Sequence, residues 1–494
     1  MIPQRQIHIF LLLKESAYVT WTPVSGADGY NVYCKPIGGS YVQLDSMLIR
    51  QYSGYFRADA VGLKPGSYVM KVVPTADGKE DTSKAVESDA ITVGNYDRSG
   101  FAFSKNSPNG GTGVGAYNDD GTLKDDAIVL YLTEETKKTM KFDVKGSSGY
   151  VSCTGLVEIL DAYSDGYDSR PLNIRIIGKV TADGVVGANS DTNNLNLKTK
   201  NTKRIVKNIT IEGIGDDAVC YGFGIRGLKI QSVEIRNIGI MLFGDDGIAF
   251  ETANKNIWVH NNDIFYGTAG GDADQAKGDG SLDLKNDSQY FTISYNHFWD
   301  SGKMSLCGMK SETGENWITY HHNWFDHSDS RHPRIRTMSV HVYNNYYDGN
   351  AKYGVGAVLD ADAFVEANYF RNCKYPMLIC GQGSDTGTFD DGVGAMIKSY
   401  GNYIEGAKGY ITQNESSTSF DAYEVSSRND KVPDSVKSLD GMGYNNFDTD
   451  SSIMYSYTAD AAADVPAIVM SEAGRLGGGD FNFEFTSADD EDYA

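Results

Sequence analysis

An asparagine followed by an apolar or aromatic residue recurs along the second half of this 494-residue chain. The intervals between these asparagines are 25, 34, 27, 22, 23 and 34 residues, and most of them follow alternating segments such as NIWVHN or YFTISY. The seven positions are Asn237, Asn262, Asn296, Asn323, Asn345, Asn368 and Asn402. A repeat this short and this rich in β-forming residues is typical of one coil of a parallel β-helix. The repeat therefore predicts an all-β fold with a parallel β-helix over residues 96–475.

The asparagines have a structural role in this interpretation. Their side-chain amides would stack at one inward turn and hydrogen-bond to one another in a ladder. The longer intervals then mark coils that carry inserted loops, and inserted loops are where function tends to lie.

Residues 1–95 have a different pattern. The segment AYVTWTPVSGADGYNVYCK predicts two strands around a turn, and GLKPGSYVMKVVPTADGKE predicts a further turn and a long alternating strand. Trp21, the alternating Tyr30 and Tyr33, and the LKPGSY approach resemble a fibronectin type III domain, which is a small antiparallel β-sandwich. We expect this module to act as a spacer or docking unit, with a cell-surface or polysaccharide partner.

The overall charge limits the partners that the protein can bind. The chain has 44 Lys+Arg against 66 Asp+Glu, a formal net charge of −22. Such an excess of acid disfavours nucleic acid and anionic membranes as partners. It would also repel a polyanionic substrate, unless a local basic patch or bridging cations receive it.

Three other features bear on the class of protein. No apolar run approaches the roughly 18 residues of a membrane span, and IHIFLLLKE near the N-terminus is interpreted as a strand rather than a signal peptide. The six cysteines include no zinc-like spacing, and Cys373 and Cys380 are interpreted either as a pair or as buried free thiols. The acidic tail 476–494 is predicted to be disordered.

Counting from the repeating asparagine predicts which residues share a face of the β-helix. Asp246, Lys303 and Arg331 follow their asparagines by nine, seven and eight residues. Asp279 and Asp283 lie in the inserted loop of the intervening coil. Three aspartates on adjacent coils, with little basic charge expected between them, form an oxygen-ligand site suited to Ca²⁺. On each motif alone, a simple Asp-Gly turn is an equally good interpretation.

A concentration of positive charge follows in SRHPRIR, residues 330–336. In an acidic chain this stretch is either a solvated loop or the basic side of a groove for an anion. Arg331 follows its repeating asparagine at nearly the same distance as Asp246 and Lys303 follow theirs, and this shared position favours the groove.

These motifs resemble those of the pectate lyases of polysaccharide lyase family 1. The resemblance is carried by DGIAFETANKNIWVHNN, KGDGSLDLKNDSQYFTISYNHFWDSGKMSLCG, WITYHHNWFDHSDSRHPRIR and VHVYNNYYDG, in this order over about 205–405. It implies a right-handed parallel β-helix that cleaves polygalacturonate by calcium-dependent β-elimination, and a secreted or cell-surface location. We expect a monomer.

The resemblance also implies roles for individual residues. Asp246, Asp279 and Asp283 match the calcium ligands, with Asp245 left open as an alternative to Asp246. Arg331 matches the catalytic base, and Lys303 and Arg336 match residues that bind the uronate carboxylates. We add Lys277 and Arg334 as candidate substrate-binding residues. One departure from the family pattern is His260, which stands where the family usually has an aspartate.

Three other functions are associated with related sequence features. A pectin lyase acts on esterified polymer without calcium, and the three aspartates disfavour it. A polygalacturonase needs a carboxylate pair that flanks the scissile bond, and Asp245 and Asp246 alone do not supply that pattern. A non-catalytic pectin-binding protein would not need the set Lys303, Arg331 and Arg336, so the presence of this set disfavours it. The sequence leaves endo or exo action undecided.

Overall fold

The computed structural model describes residues 13–188, 190, 192–268, 277–309, 312–314, 316–385, 387–389 and 394–476. The strand predicted in IHIFLLLKE is described only from Leu13 onward, where a short strand is present. The acidic tail lies outside the described residues, apart from Leu476. The described residues of Met1–Arg98 and Tyr117–Asp125 form one compact unit, and those of Ser99–Ala116 and Asp126–Ala494 form another.

The first unit contains two small sheets. One has the order β1-β10-β7-β3-β4 with β8 and β9 also paired to β7, the other has the order β2-β6-β5, and all pairings except β1 with β10 are antiparallel. Its strands are β1 Leu13–Lys14, β2 Ser16–Trp21, β3 Gly29–Pro36, β4 Val42–Gln43, β5 Ile49–Tyr52, β6 Tyr55–Val61, β7 Gly66–Ala76, β8 Lys79–Glu80, β9 Val86–Glu87 and β10 Ile91–Gly94. Trp21 packs between the rings of Tyr30 and Phe56, at 5.2 and 5.8 Å between centroids. The small antiparallel sheets expected at the N-terminus are therefore present.

The second unit is a parallel β-helix, as the asparagine repeat predicts. One of its sheets has eight strands, all parallel: β15 Asn194–Lys198, β17 Gly224–Leu228, β20 Ile248–Glu251, β23 Leu282–Lys285, β26 Leu306–Cys307, β29 Arg334–Arg336, β32 Val355–Val358 and β35 Met377–Ile379. We call it the site sheet.

The remaining parallel strands form one eighteen-stranded sheet that wraps the other sides of the coils. They are β11 Ile128–Leu132, β14 Leu172–Thr181, β16 Lys207–Tyr221, β18 Gln231–Arg236, β19 Gly239–Met241, β21 Lys255–His260, β22 Asp263–Ile264, β24 Gln289–Ser294, β25 His297–Trp299, β27 Ile318–His321, β28 Trp324–Asp326, β30 Ser339–Tyr343, β31 Tyr346–Asp348, β33 Ala361–Glu366, β34 Tyr369–Arg371, β36 Ala395–Tyr400, β37 Tyr403–Glu405 and β38 Tyr423–Glu424. The unit also contains an antiparallel hairpin, β12 Lys141–Gly146 with β13 Gly149–Thr154, and the α-helices α1 Leu156–Tyr163 and α2 Val465–Glu472.

Apolar side chains fill the interior of the coils in columns. One column runs through Ile209, Val233, Ile257, Phe291, Ile318, Val340, Ala363 and Ile397, each directly paired with the next. All eight are completely buried. Because successive side chains of a strand point to opposite faces, the residues between the core positions of the site sheet face outward.

The asparagine ladder is present from Asn262 to Asn402. Each amide nitrogen donates to the side-chain oxygen of the next asparagine, at 2.9 to 3.0 Å. Asn237 is an exception, and its assignment to the ladder was wrong. The side-chain oxygen of Asn262 accepts from the backbone of Ile238 instead, because position 238 is in phase, while Asn237 donates to the carbonyls of Gly213 and Gly215.

Several smaller expectations can be compared with the structure. All six cysteines lie within the described residues, and each is a buried free thiol. Among the described residues, no helix is both long and apolar enough to cross a membrane. His260, at the departure from the family pattern, is buried, contacts Glu234 at 3.2 Å and stacks on Trp258 at 3.6 Å between centroids.

The ladder makes a testable contribution to stability. Asn323 is completely buried and bonds to Asn296, Asn345 and the carbonyl of Ile293. Asn323→Ala should lower the free energy of unfolding by at least about 2 kcal/mol, since each buried polar group left unsatisfied costs about 1–3 kcal/mol. Asn402, at the partly exposed end of the ladder, provides the matched control. Urea unfolding should show a smaller loss for Asn402→Ala, and equal losses would contradict the prediction.

Candidate active site

The outer face of the site sheet brings charged residues of several coils together. Asp283 and Lys285 alternate with the core residues Leu282 and Leu284 on β23, and Arg334 and Arg336 alternate with Ile335 on β29. In the register of the sheet, Arg334 pairs with Leu306 and with Gly356, and Arg336 pairs with Val358. Acidic and basic side chains therefore occupy one face, about two coils apart at roughly 4.8 Å per coil.

Four aspartates lie at the acidic end of this face. Asp245 and Asp246 end the turn before β20, Asp279 precedes β23, and Asp283 is part of β23. Carboxylate oxygens of Asp245, Asp246 and Asp279 lie within 4.8 Å of one another. Asp246 also accepts a hydrogen bond from the backbone of Gly280 at 2.9 Å, which orients its carboxylate.

Lys285 lies between two of the aspartates. Its ammonium group is 2.7 Å from Asp246 and 3.2 Å from Asp283, and both carboxylates are almost completely buried. The expectation of little basic charge among the aspartates was therefore wrong. The signal was present in LDLK, because a residue two positions after Asp283 on a strand must share its face.

Burial and crowding set the electrostatics of this cluster. Burial, and then the neighbouring Asp283, raise the pKa of Asp246 to about 8, although Lys285 opposes the shift. Burial is also the main cause of the raised pKa of Asp245. The pKa of Lys285 is raised because Asp283 and Asp246 outweigh the opposing effect of its own burial. The cluster thus disfavours the negative charge of Asp245 and Asp246 and favours the positive charge of Lys285. A cation bound beside the aspartates would favour their charged form.

Lys303 connects the aspartates to the arginine motif. Its ammonium group contacts Asp279 at 3.1 Å, and its backbone pairs with Gly280 on one side and with Ser330 on the other. Gly280 itself donates to Asp246. Asp246, Lys303 and Arg331, which the count from the asparagines predicted to share a face, therefore lie on neighbouring coils. Arg331 follows Ser330, the residue that pairs with Lys303.

The segment SRHPRIR has a defined conformation. Arg331 has a φ of 68°, in the left-handed region that side chains larger than glycine rarely adopt, and the His332–Pro333 peptide bond is cis. His332 is buried, contacts the carbonyl of Tyr353 at 2.6 Å and the hydroxyl of Ser328 at 2.7 Å, and burial lowers its pKa to about 4. A neutral His332 thus anchors the loop from which Arg331 projects.

Tyr353 reports on the positions of the arginines. Burial raises the pKa of its hydroxyl to about 12, and the charges of Arg334, Arg331 and Arg336 oppose this shift. The positive charge of the motif thus partly offsets the effect of burial on the Tyr353 hydroxyl. The segment concentrates positive charge at one place on the sheet rather than spreading it over a solvated surface.

Asp283 and Lys277 each form an ion pair with a neighbouring side chain. Asp283 is separated from the trio Asp245, Asp246 and Asp279, and reaches Asp246 through Lys285. Lys277 forms an ion pair with Asp300.

The donor set suits a hard cation. Carboxylate oxygens on a preformed surface are the ligands that Ca²⁺ prefers, and the described trio supplies three carboxylates. Asp283 adds a further carboxylate on the far side of Lys285 from Asp246, and Lys285 and Lys303 supply positive charge beside the carboxylates. The residues present therefore fit a calcium ion, with Asp245 and Asp246 both placed to bind it.

These observations define a parallel β-helix protein with adjoining acidic and basic clusters on one sheet. Residues 97–476 match the family model described as pectate lyase. The chain belongs to the pectate lyase family.

Individual relatives are similar over part of their length. The chain is 31% identical over 225 residues to the pectate trisaccharide-lyase of Bacillus licheniformis, covering 45% of this chain and 62% of the relative. It is 36% identical over 196 residues to pectate lyase 3 of Pectobacterium carotovorum, a match that covers 38% of this chain and 52% of the relative. The chain thus spans between half and two thirds of these curated relatives.

One solved structure shares the fold. It is a pectate lyase from Bacillus sp. N165 in complex with trigalacturonate, with a TM-score of 0.51 and 23% identity, covering 76% of this chain and 98% of that one. The likeness is one of architecture.

The position of Lys285 leads to a prediction about stability. Lys285→Ala would leave two buried carboxylates unpaired, and loss of one partner of a buried ion pair costs about 3–5 kcal/mol. The melting temperature of metal-free protein should fall, and added Ca²⁺ should narrow the gap to the parent protein. Lys277→Ala, which breaks a more exposed ion pair, is the control and should change stability by about 1 kcal/mol or less. Equal melting temperatures for the two variants would refute the prediction.

Proposed function

We propose that this protein is a pectate lyase that cleaves α-1,4-polygalacturonate by calcium-dependent β-elimination, giving 4,5-unsaturated oligogalacturonides. The observation that carries the proposal is the continuous sequence of contacts from Asp246 through Gly280 and Lys303 to Ser330, next to Arg331. It brings an acidic cation site and a basic motif to the same face. Family membership supports the same reaction class.

The chemistry of the substrate explains why both signs of charge are needed. β-Elimination removes the proton at C5 of a galacturonate and expels the oxygen at C4. The adjacent carboxylate is already negative, and it resists the additional charge that develops when the proton leaves. Neutralising this carboxylate is therefore the main task of the site.

The residues divide this task as follows. We assign the neutral guanidine form of Arg331 as the base that accepts the C5 proton. Lys303 and Arg336 are assigned as the cations that hold the uronate carboxylate through charge-assisted hydrogen bonds. Arg334, which is buried over the ring of Phe389, and Lys277 are assigned to neighbouring uronates. Asp246, Asp279 and Asp283, with Asp245 as an additional or alternative ligand, would hold Ca²⁺, which when bound would supply positive charge that offsets the charge of the substrate carboxylate.

We further propose that residues 1–95 form a fibronectin type III-like module ahead of the lyase domain 96–475, in a secreted or cell-surface protein that acts as a monomer. The paired antiparallel sheets and the Trp21 core support the module. If the module has a docking role, the full chain should bind insoluble cell-wall material more strongly than a chain that lacks residues 1–95.

The role of Arg331 can be tested by substitution. Arg331→Ala should slow the formation of the unsaturated, ultraviolet-absorbing product from polygalacturonate. The expected loss of rate is about 100- to 10,000-fold, which is the usual contribution of a positioned base. Arg371→Ala removes an arginine of the other sheet that pairs with Asp348, and it should retain activity. A rate for Arg331→Ala within about tenfold of the parent, which is below the usual contribution of a base, would rule out the assignment.

The calcium requirement can be tested separately. Protein treated with EDTA should lose activity and regain it when Ca²⁺ is added, and calorimetry should detect Ca²⁺ binding to the metal-free protein. Asp246→Ala should weaken that binding, because it removes one carboxylate of the trio. Full activity of protein shown by elemental analysis to hold no metal would overturn the calcium assignment.

A further inference from the structure

The outer face of the site sheet differs on the two sides of the proposed active site. On the strands that precede β23, the outward residues Asn196, Arg226 and Glu251 are partly exposed, and Ala249, which pairs with Asp283, is buried. On the strands that follow β29, the outward positions Val358 and Leu378 are completely buried. The face therefore carries partly exposed polar and charged side chains on the side that precedes the motif, and buried apolar side chains on the side that follows it.

Two aromatic rings begin the covered part, and we call Tyr353 and Phe389 the aromatic cap. A Cβ atom added to Gly356, which pairs with Arg334, would lie 2.6 Å from the Tyr353 ring and 2.7 Å from the Phe389 ring. The two rings are in edge contact at 5.0 Å between centroids, and both side chains are buried. The rings thus fill the outer face immediately after the coil that carries Arg334.

The cap contacts the arginine motif and its apolar surroundings. The guanidinium of Arg334 lies 5.2 Å from the centre of the Phe389 ring. Phe389 and Tyr353 also pack with Val358, Leu378 and Cys380 in one apolar cluster. A hydrated polyuronate could pass along this face only by displacing the cluster from its buried position, which would expose several apolar side chains to water.

The described segment before Phe389 is anchored to the body of the β-helix. Gln382 donates to the carbonyl of Phe420 at 2.7 Å and accepts from the backbone of Leu439 at 2.6 Å. The backbone of Ser384 donates to Asp421 at 2.8 Å. The cap is thus supported by hydrogen bonds rather than by the apolar contacts alone.

From this arrangement we infer that the aromatic cap closes the substrate groove at the coil that follows Arg334 and Arg336. The inference rests on the proposed pectate lyase function and adds a restriction to it. Coils are spaced about 4.8 Å apart, so little room for sugar remains on this side of the arginines. The substrate chain therefore binds with one of its ends at the cap, and cleavage occurs at a fixed distance from that end.

The inference is tested by the pattern of products from polygalacturonate. Parent protein should release short unsaturated products of one predominant length from the first turnovers, while the viscosity of the solution falls slowly relative to the number of bonds broken. Phe389→Ala should open the groove, giving a wider range of early product lengths and a several-fold larger fall in viscosity per bond broken. Tyr403→Ala removes an exposed ring of β37 and should leave the product pattern unchanged.

Oligogalacturonides of increasing length provide a measurement that needs no variant. The inference requires that the cleaved bond, counted from one chain end, stays the same as the substrate lengthens. Cleavage at scattered positions, or a rapid early loss of viscosity with parent protein, would overturn it while leaving the lyase function intact. An unchanged product pattern in folded Phe389→Ala would also overturn it, and no unsaturated product under any condition would overturn the proposed function itself.

Discussion

The hydrogen-bonded stacking of parallel coils is the constraint on which the structure depends. Each coil pairs in register with the next, so a residue at one position lies about 4.8 Å from its equivalents before and after it. The asparagine ladder keeps one turn of successive coils in the same phase, because each amide bonds both to a neighbouring amide and to backbone carbonyls. Residues far apart in sequence thereby become neighbours on one flat face.

That face concentrates opposite charges in a way that the net charge of −22 does not reveal. Asp246 and Asp283 are held by Lys285, and Asp279 is held by Lys303. These ion pairs are largely withdrawn from water, so each charge acts strongly on its neighbours. The acidic part of the face is thus suited to a cation, and the basic part, two coils further on, is suited to a carboxylate.

Counting from the repeating asparagine predicted much of this arrangement. Asp246 and Lys303 do stand in line through Gly280. The count failed at Asn237, because the residue in phase there is Ile238. The backbone N–H at each ladder position donates to the next asparagine side chain, so Ile238 keeps that bond and lacks only the one from a side-chain amide. An apolar residue can therefore end the ladder without a change in the backbone pairing.

The membership of the acidic cluster was harder to predict. The coil from Asn262 to Asn296 carries an insertion, so counting alone does not place Asp279 and Asp283. The structure groups Asp279 with Asp245 and Asp246, and places Lys285 between Asp246 and Asp283. The direction in which each side chain leaves its strand or turn decided these contacts.

By itself, the sequence determined the repeat, the class of fold, and the chemical character of the motifs, because periodicity and residue type are local properties of the chain. Only the tertiary structure decided which carboxylates meet, that Lys285 joins them, and which side chains cover Gly356. Phe389 covers Gly356 from 33 positions along the chain, and no local pattern records such a contact. Its physical cause is the packing of a later loop onto an earlier coil, which depends on the shape of the whole β-helix.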